Sequence, residues 1–400
     1  MTHSDTPNSD YTHHHPVHSH SANMEFAHIP MQTVGPIQLS GDLTEKAFLP
    51  LATFETPLWA STQRGSKVSL SVEGGICVTL LSNNMTRSIL LEAPNAKTAH
   101  HITQKITLDF LQPIVQKSSR FAKLISIQPE ILGKLIYLRL VFTTGEASGH
   151  NMVTKAADAI LNKLTNTYSD LRYISISGNL CADKKVSAVN GLLGRGKSVI
   201  AEITVPKAVC AAVLKTTPEK IHELNLKKNL LGSLLAGSLR SANAHFANVL
   251  LAAYLATGQD AANIVEGSQG ITTTEILPSG DLYFSIKIPN LIVGVMGNGK
   301  DLNFVRHNLE LMGCNPENLN PENLNPADQK NSTTNSTGNS TGKNSEKLAM
   351  IIAAGVLCCE LSLLAAQTNP GELMRAHLLL ERKNNKNNKN NLNLSEHETS

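Results

Sequence analysis

The triplet Asp183-Lys184-Lys185 is the first candidate for chemistry in this sequence. It follows a small, polar run, Ser177-Gly-Asn-Leu-Cys-Ala182, that lies close to an apolar strand pattern. An ammonium group in such a setting could stabilise a developing oxyanion. A triplet of this kind is more often a solvated turn, so it is the setting that favours an anion-binding function.

Carboxylates and histidines elsewhere are candidates for proton transfer. Glu55 lies in an otherwise uncharged run, where desolvation favours the protonated carboxyl that a general acid needs. The alternative is a glutamate at a helix start, stabilised by the helix dipole. Asp260 could be a turn residue alone, and His377 could donate a proton near neutral pH. His245, three residues before Asn248 on one helical face, is more typical of a hydrogen-bonded core histidine.

One motif has to be weighed against its context. Gly191-Leu-Leu-Gly-Arg-Gly-Lys-Ser198 matches the phosphate-loop pattern G-x-x-x-x-G-K-S. A phosphate loop must follow a buried strand and open a helix, whose N-terminus holds the phosphates. Here the preceding residues are polar, and residues 198–205 alternate as a strand before Pro206. The context therefore argues against a nucleoside triphosphatase. The glycines of 294–299 are likewise a weak dinucleotide signature, because they lack the Rossmann spacing.

Length and composition limit the function classes. The chain has 400 residues, 41% of them hydrophobic, and a formal net charge of +3. Two or three domains are expected, and the weak charge argues against a nucleic-acid or membrane-surface partner. The histidine-rich residues 1–25 are expected to be a disordered tail rather than a signal peptide, with loose metal chelation as the alternative. Six scattered cysteines without metal-ligand spacing indicate a reduced, cytoplasmic protein with no metal site.

The hydrophobic pattern predicts mixed secondary structure. Residues 110–121 and 152–167 have a helical period, whereas 135–143 and 171–177 have a strand pattern. Together they indicate a small α+β unit. Residues 47–71 are expected to be loop and the start of a helix.

Two stretches, 229–265 and 348–367, are the most apolar. Polar or charged residues interrupt both, so they are predicted to be buried core helices and not membrane spans. The first is expected at the centre of a helical domain. The Asn-rich segment 315–343 is expected to be an exposed insertion, and 383–400 a disordered tail.

Seven segments together resemble the hydroxymethylglutaryl-coenzyme A reductases, more closely the class I type, over about residues 34–382. The segments are Ala60–Gly65, Asn84–Arg87, Ser177–Lys185, Gly194–Ser198, Asn243–Asn248, Gly258–Ala262 and Glu360–Leu363. The resemblance implies NADPH-dependent reduction of hydroxymethylglutaryl-coenzyme A to mevalonate and coenzyme A by two hydride transfers, in the mevalonate pathway of isoprenoid biosynthesis. It also implies active sites between subunits, and therefore at least a homodimer.

The resemblance further implies a role for each candidate residue. Lys184 would stabilise the carbonyl oxygen, Glu55 would protonate the aldehyde-level intermediate, and Asp260 would link these two groups. His377 would protonate the departing thiolate. The residues implied to hold the substrate are Ser61, Arg64, Arg87, Ser177, Asp183, Lys185, Lys215, Lys228 and Asn248. The residues implied to contact the dinucleotide are Ser119, Arg120, Phe121, Glu146, Ala147, Ser148, Gly149, Asn151, Met296, Gly297 and Asn298.

The implied fold class is α+β. A large, mainly helical domain around a long central helix would carry an inserted small domain, which is ferredoxin-like and binds the dinucleotide. The expected divisions are a tail (1–25), the large domain (26–88, 176–314 and 344–382), the small domain (89–175), the insertion (315–343) and a second tail (383–400).

Four segments depart from the family's patterns: Thr53–Thr56, Glu146–Gly149, Gly294–Gly299 and Glu381-Arg382. The four catalytic positions nevertheless match. The departures at the two cofactor segments leave open a catalytically weak relative that binds coenzyme A esters, or an enzyme that uses NADH or works in the degradative direction. Arg120 favours NADPH, because a guanidinium suits a 2′-phosphate.

Overall fold

The computed structural model describes residues 26–315, 344–375 and 378. Its strands are β1 (Met31–Gly41), β2 (Lys46–Ala52), β3 (Ile76–Glu92), β4 (Lys123–Leu132), β5 (Leu135–Thr143), β6 (Arg172–Ser175), β7 (Gly196–Val205), β8 (Ile271–Ile276) and β9 (Leu282–Leu291). Its α-helices are α1 (Pro57–Leu70), α2 (Ala96–Thr103), α3 (Leu108–Ser118), α4 (His150–Thr167), α5 (Ala188–Leu193), α6 (Lys207–Val209), α7 (Pro218–Leu224), α8 (Ser233–Leu235), α9 (Phe246–Ala256), α10 (Ile264–Gly267), α11 (Asn303–Leu311) and α12 (Asn344–Gln367). Two π-helical segments cover Cys210–Leu214 and Asn225–Gly232, and a 3₁₀ turn covers Ala261–Asn263.

The 17-residue strand β3 joins two parts of the sheet. Its first half pairs with β7, and the order on this side is β2-β1-β3-β7-β9-β8. Its second half pairs with β5 and β6, and β4 lies outside β5. The fold is therefore α+β with a mixed sheet, because β1 runs parallel to β3 whereas the other pairs are antiparallel.

Helix α12 lies in the larger of two hydrophobic clusters. Twenty of its 24 residues are buried, as expected of a helix that is apolar all round. It packs against α1 so closely that a β-carbon on Gly65 would lie 2.0 Å from the carbonyl oxygen of Cys358. By length and composition α12 could span a membrane, but 94% of its most apolar window is buried inside the fold. The prediction of a buried core helix is confirmed here.

A second hydrophobic cluster draws on residues between Met85 and Leu171, together with Ile292. It packs α2, α3 and α4 against β4, β5 and the second half of β3. The order of elements is strand β3, helices α2 and α3, strands β4 and β5, helix α4 and strand β6. The predicted strand 135–143 is β5, and the predicted helix 152–167 begins two residues earlier, at His150.

Three structural expectations are wrong. The stretch 229–265 is not one central helix: it divides into a π-helical turn, α8, a non-helical segment and α9. The break falls at Gly237, where φ is +72°, and at Arg240, where φ is +51°. The long central helix is α12 instead. The larger part is not mainly helical either, since a six-stranded path runs through it. Residues 47–71 include strand β2, which their two prolines obscured.

The phosphate-loop pattern has the reverse order of elements. Gly191 lies within α5, and strand β7 begins at Gly196. A helix thus precedes the glycines and a strand follows them, which excludes the strand-loop-helix geometry of a phosphate loop. Of the other expected segments, 1–25, 316–343 and 383–400 lie outside the described residues.

Candidate functional site

Lys184 lies in a strained loop between β6 and α5. The backbone is left-handed at Asn179 (φ +60°), Ala182 (φ +43°) and Lys184 (φ +54°). Non-glycine residues adopt this conformation only when their surroundings impose it. Asn190 Nδ2 supplies one such contact by donating to the Ala182 carbonyl at 3.0 Å. Glu266 Oε1 supplies another by accepting the Lys184 N–H at 3.1 Å.

The loop brings Lys184 to Asp260. Their Nζ and Oδ2 atoms are 2.7 Å apart, and Asp260 also accepts the Ala262 N–H at the start of the 3₁₀ turn. The bond from Asp260 raises the pKa of Lys184. Partial burial opposes ionisation of Asp260, but the bonds from Lys184 and Ala262 lower its pKa. The pair is therefore a charged ammonium next to a charged carboxylate.

A cleft of about 550 Å³, here called the lysine cleft, lies beside this pair. Its lining residues are Arg87, Ala147, Ser148, Gly149, His150, Asn151, Met152, Thr154, Asp183, Lys184, Gly258, Gln259, Asp260, Met296, Gly297, Asn298 and Lys300. Eleven of these are residues that the sequence analysis assigned to catalysis, substrate or dinucleotide. The structure thus gathers the Lys184 loop and two of the three predicted cofactor segments around one cavity.

Helix α4 opens directly onto the lysine cleft. Its N-cap is Gly149, with φ +97° and no side-chain hydrogen bond to the first turn. The amide groups of this turn and the helix dipole make the entrance favourable for an anion. His150 contributes an imidazole whose Nε2 is 3.8 Å from Asp183 Oδ1. Burial lowers the pKa of His150, and Arg195 lowers it further, so the ring is neutral at pH 7.

Glycine at position 294 permits the close approach of two cleft segments. A β-carbon on Gly294 would lie 2.3 Å from the Ser148 nitrogen. The Gln259 side chain bridges to the Gly294 backbone, with its amide and carbonyl groups each 3.0 Å from their partners. Lys300 ties the same loop to the Gly258 carbonyl, and burial lowers the pKa of Lys300 to about 8.

Other predicted dinucleotide contacts do not line the lysine cleft. The Glu146 carboxylate accepts the Ser345 N–H at 2.7 Å at the start of α12, and burial raises its pKa. Ser119 Oγ accepts the Phe121 N–H in the turn that follows α3. The Arg120 guanidinium lies over the Phe121 ring at 5.3 Å. None of the three residues of this turn is among the lining residues of the cleft.

Glu55 lies in a separate cavity of about 240 Å³, here called the glutamate pocket. Its lining residues are Glu55, Pro57, Leu58, Ala60, Ser61, Arg64, His245, Leu363, Ala366, Glu372 and Leu373. Asn248 Nδ2 donates to Glu55 Oε2 at 2.6 Å. Contrary to expectation, Glu55 is exposed in the single chain rather than desolvated. Among the described residues of one chain it contacts neither Lys184 nor Asp260, so the expected link through Asp260, in a site between subunits, stays a prediction.

Arg64 supplies a positive charge to the glutamate pocket. Its Nε donates to Ser362 Oγ at 2.9 Å, and Ser61 Oγ donates to the same hydroxyl at 3.0 Å. Burial lowers the pKa of Arg64, although a guanidinium remains charged at neutral pH.

A histidine flanked by a thiol and a carboxylate forms one wall of this pocket. His245 Nδ1 is 2.9 Å from Glu360 Oε2, and His245 Nε2 is 3.1 Å from Cys359 Sγ. Glu360 is fully buried and also accepts the Ala244 N–H at 2.6 Å and the Thr272 hydroxyl at 3.0 Å. Burial alone would lower the pKa of His245, but Cys359 and Glu360 raise it to about 10. The prediction of a hydrogen-bonded histidine is confirmed, with a charged partner that the sequence did not reveal.

The remaining substrate candidates lie outside both sets of lining residues. Ser177 binds within its own turn through Ser175, and Lys185 Nζ donates to the Asp183 carbonyl at 3.1 Å. Lys215 has a left-handed backbone (φ +59°). Burial lowers the pKa of Lys228, which donates to Asn229. His377 lies outside the described residues.

Sequence reasoning missed a few buried groups. Glu266 lies in an apolar run, and a charge so placed is the one signal that could have marked it. Glu360, the partner of His245, carries the same signal, whereas Lys300 carried none of its own. In residues 26–315 and 344–375, no three histidine, cysteine or acidic side chains are grouped to hold a metal ion.

Comparison with known proteins gives a consistent result. A family model for hydroxymethylglutaryl-coenzyme A reductase matches residues 22–382. The 3-hydroxy-3-methylglutaryl-coenzyme A reductase of Pyrococcus horikoshii is 44% identical over 358 residues, which cover 88% of this chain and 81% of the relative. That of Aeropyrum pernix is 42% identical over 358 residues, covering 88% and 79%.

A solved structure of the class II reductase from Streptococcus pneumoniae, bound to NADPH in open conformations, has a TM-score of 0.66. It shares 18% identity and covers 87% of each chain, so this likeness shows the fold. The comparisons show the family and do not support the narrower assignment to class I. That part of the sequence interpretation is corrected: the comparisons extend to the family only.

Proposed function

The chain belongs to the hydroxymethylglutaryl-coenzyme A reductase family, and we propose that it reduces hydroxymethylglutaryl-coenzyme A to mevalonate and coenzyme A with two molecules of NADPH. Such enzymes are oxidoreductases of the mevalonate pathway. The observation that carries the proposal is the Lys184–Asp260 ion pair at the edge of a cleft that α4 enters with its N-terminus.

The Lys184 ammonium is suited to stabilise the carbonyl oxygen of the thioester. It is charged, partly exposed and donates to Asp260 through one of its three hydrogens, which leaves two for an incoming oxygen. An oxyanion held at such a group is stabilised most where water is excluded. Asp260 aims the ammonium, and the anionic groups of the substrate would be held by Arg87, Lys185 and the residues around them.

The lysine cleft fits a nicotinamide dinucleotide. The α4 N-terminus would hold a phosphate, and the loops at Ala147–Asn151 and Met296–Asn298 would flank the rest of the cofactor. The bound dinucleotide supplies the hydride. NADPH is preferred over NADH in this proposal because Arg120 offers a guanidinium near the start of β4, where a 2′-phosphate could bind. Ser119, Phe121 and Glu146 would act with it from the rim of the site.

The glutamate pocket fits the coenzyme A side of the substrate. Arg64 and Ser61 would bind an anionic part of coenzyme A with Lys215, while Asn248 orients Glu55. Ser177, Asp183 and Lys228 would complete the contacts to the hydroxymethylglutaryl part. Glu55 would protonate the aldehyde-level oxygen, and His377 the departing thiolate.

The two cavities have no lining residue in common, which supports a site that two chains complete together. Glu55 of one subunit would complete the Lys184 site of another in a homodimer. Exposed leucines support such an interface: Leu234 is 76% exposed and Leu235 is 91% exposed. An apolar surface of this kind is typical of a protein contact.

The proposed division of the chain follows the same logic. Residues 89–175 would form the small, ferredoxin-like cofactor domain. The order from β3 to β6 supports this proposal, because it is a β-α-β-β-α-β order in which two helices, α2 and α3, fill the first helical position. Residues 26–88, 176–314 and 344–382 would form the large domain.

Mixing two inactive variants tests the proposal. Glu55→Gln and Lys184→Met should each abolish NADPH oxidation with the thioester. If subunits are exchanged by dilution and reassembly, half of the dimers are mixed and each contains one intact site, which restores about a quarter of wild-type activity. Wild-type protein that binds the thioester without oxidising either NADPH or NADH would instead identify a binding relative. A mixture of the two variants that stays inactive after reassembly would instead place the whole site within one chain.

A further inference from the structure

A buried arginine lies directly behind the Lys184 loop. The Arg195 side chain is 1% exposed, and its Nη1 is 2.9 Å from Asp183 Oδ1 and 2.9 Å from Glu266 Oε1. Its backbone N–H is held by Asn290 Oδ1 at 2.9 Å. One guanidinium thus serves two carboxylates, one of which precedes Lys184 in the chain while the other is fully buried.

Glu266 carries this contact to Lys184 itself. The same Oε1 atom that binds Arg195 accepts the Lys184 backbone N–H at 3.1 Å and Asn263 Nδ2 at 2.9 Å. The Lys184 backbone is left-handed, a conformation that is unfavourable for a residue with a side chain. The bond from Glu266 therefore acts on the peptide that most needs an external constraint.

We propose that Arg195 and Glu266 are positioning residues that hold the Lys184 ammonium where the thioester carbonyl is reduced. The inference rests on the proposed function of Lys184. Neither side chain lines the lysine cleft, so both act through the residues that do. Arg195 orients Asp183 directly, and it orients the Lys184 backbone through Glu266. The glycine-rich segment 191–198 then has a structural role unrelated to phosphate binding: it places the Arg195 guanidinium behind the Lys184 loop.

An arginine suits this position for two reasons. Its planar, delocalised charge can face two carboxylates at once, whereas a lysine ammonium is a point charge on a flexible stem. Its loss would also leave buried carboxylates without a counter-charge, and burial already raises the pKa of Glu266. Protonated Glu266 would no longer hold the loop as a charged acceptor, and a displacement of about 1 Å at the ammonium lowers a rate about 100-fold.

Kinetics of Arg195→Lys test the proposal. We expect kcat to fall about 10- to 100-fold, while KM for the thioester and for NADPH changes less than about threefold. The alkaline limb of the kcat profile should move to lower pH, because a displaced Lys184 loses part of its contact with Asp260. The groups that face Lys184 are Asp260, Asp183, Glu266 and, from α4, His150. Arg172→Lys is the matched control, since this arginine pairs with Glu92 on the surface.

A measurement without turnover separates this inference from the proposed function. Competitive acetylation followed by mass spectrometry reports the pKa of Lys184 in the folded protein, and it should fall in Arg195→Lys and in the near-isosteric Glu266→Gln. A Lys184 pKa and a kcat profile that match the wild type in both variants would overturn the positioning role. If wild-type protein fails to reduce the thioester, the proposed function fails, while the labelling result still decides the role of Arg195. If Arg195→Lys does not fold, Glu266→Gln decides it.

Discussion

The Lys184 ammonium lies 2.7 Å from the Asp260 carboxylate, although both side chains are 42% exposed. An ion pair so open to water adds little to stability. Its value is chemical, because Asp260 raises the pKa of Lys184 and keeps the ammonium charged further into the alkaline range. Two loops must be fixed to make this contact, one by Glu266 and the other by Gln259 and Lys300.

Asp260→Asn should lower kcat by about 100-fold or more, because the amide neither aims nor sustains the positive charge. The active form of Lys184 is protonated, and Asp260 raises its pKa. Removing the carboxylate lowers that pKa, so activity should be lost at a lower pH than in the wild type. The measurement is kcat as a function of pH with saturating substrate. Asp158→Asn on the exposed face of α4 is the control, and an unchanged alkaline limb in Asp260→Asn would contradict the assignment.

Arg120→Ala should raise KM for NADPH by about 10-fold while changing KM for NADH little. The expected loss is that of a charge-assisted bond to a 2′-phosphate, a group that NADH lacks. Initial rates with each cofactor provide the comparison. Lys117→Ala removes a neighbouring charge at the end of α3 and serves as the control. An equal rise in KM for NADPH and for NADH would show that Arg120 does not bind the 2′-phosphate.

Leu235→Asp should convert the proposed dimer to monomers and abolish turnover together. Leu235 is 91% exposed in the single chain, and a charge buried at an apolar interface opposes association. Sedimentation velocity gives the assembly state, and the thioester assay gives the activity of the same sample. Leu132→Asp is the matched control, because Leu132 is a leucine at the end of β4 that is 67% exposed. A Leu235→Asp dimer with normal activity would remove this surface from the proposed interface.

The elements that could be predicted from the sequence are those that depend on residues close together in the chain. Helix α4 could be predicted from local periodicity, since it buries one face. Strand β5 could be predicted from its short apolar run, most of which is buried. The break between α8 and α9 was not predicted, although polar residues interrupt the apolar stretch there. Helix α8 ends at Leu235, and the left-handed backbone at Gly237 follows it. Strand β2 was not predicted because it contains Pro50. The residues on either side of this proline, Leu49 and Leu51, nevertheless pair with β1.

The candidate site shows the same division. The motif around Lys184 marked the loop correctly, because small and polar residues favour tight turns. The pairing with Asp260 is a contact between segments 76 residues apart, and nothing local encodes it. Glu266 and Glu360 are still harder to predict, since a single buried carboxylate in an apolar run acquires meaning only through partners such as Arg195 and His245.

His245→Gln should destabilise the protein most at neutral and acidic pH. The pKa of folded His245 is raised to about 10, above the ordinary value of 6.5 for a histidine in an unfolded chain. Its interactions with Cys359 and Glu360 therefore contribute fully below about pH 6.5 and are lost as the pH rises through about 10. The loss of one partner from a buried pair costs about 3 kcal/mol. The difference in the free energy of unfolding should therefore be about 3 kcal/mol at pH 6.5 and should shrink toward pH 10.

Urea unfolding of the wild type and of His245→Gln at the two pH values gives these free energies. His222→Gln is the control, because His222 faces the Thr274 hydroxyl rather than a carboxylate. A destabilisation by His245→Gln that is the same at both pH values would mean that the ring is held as a neutral group.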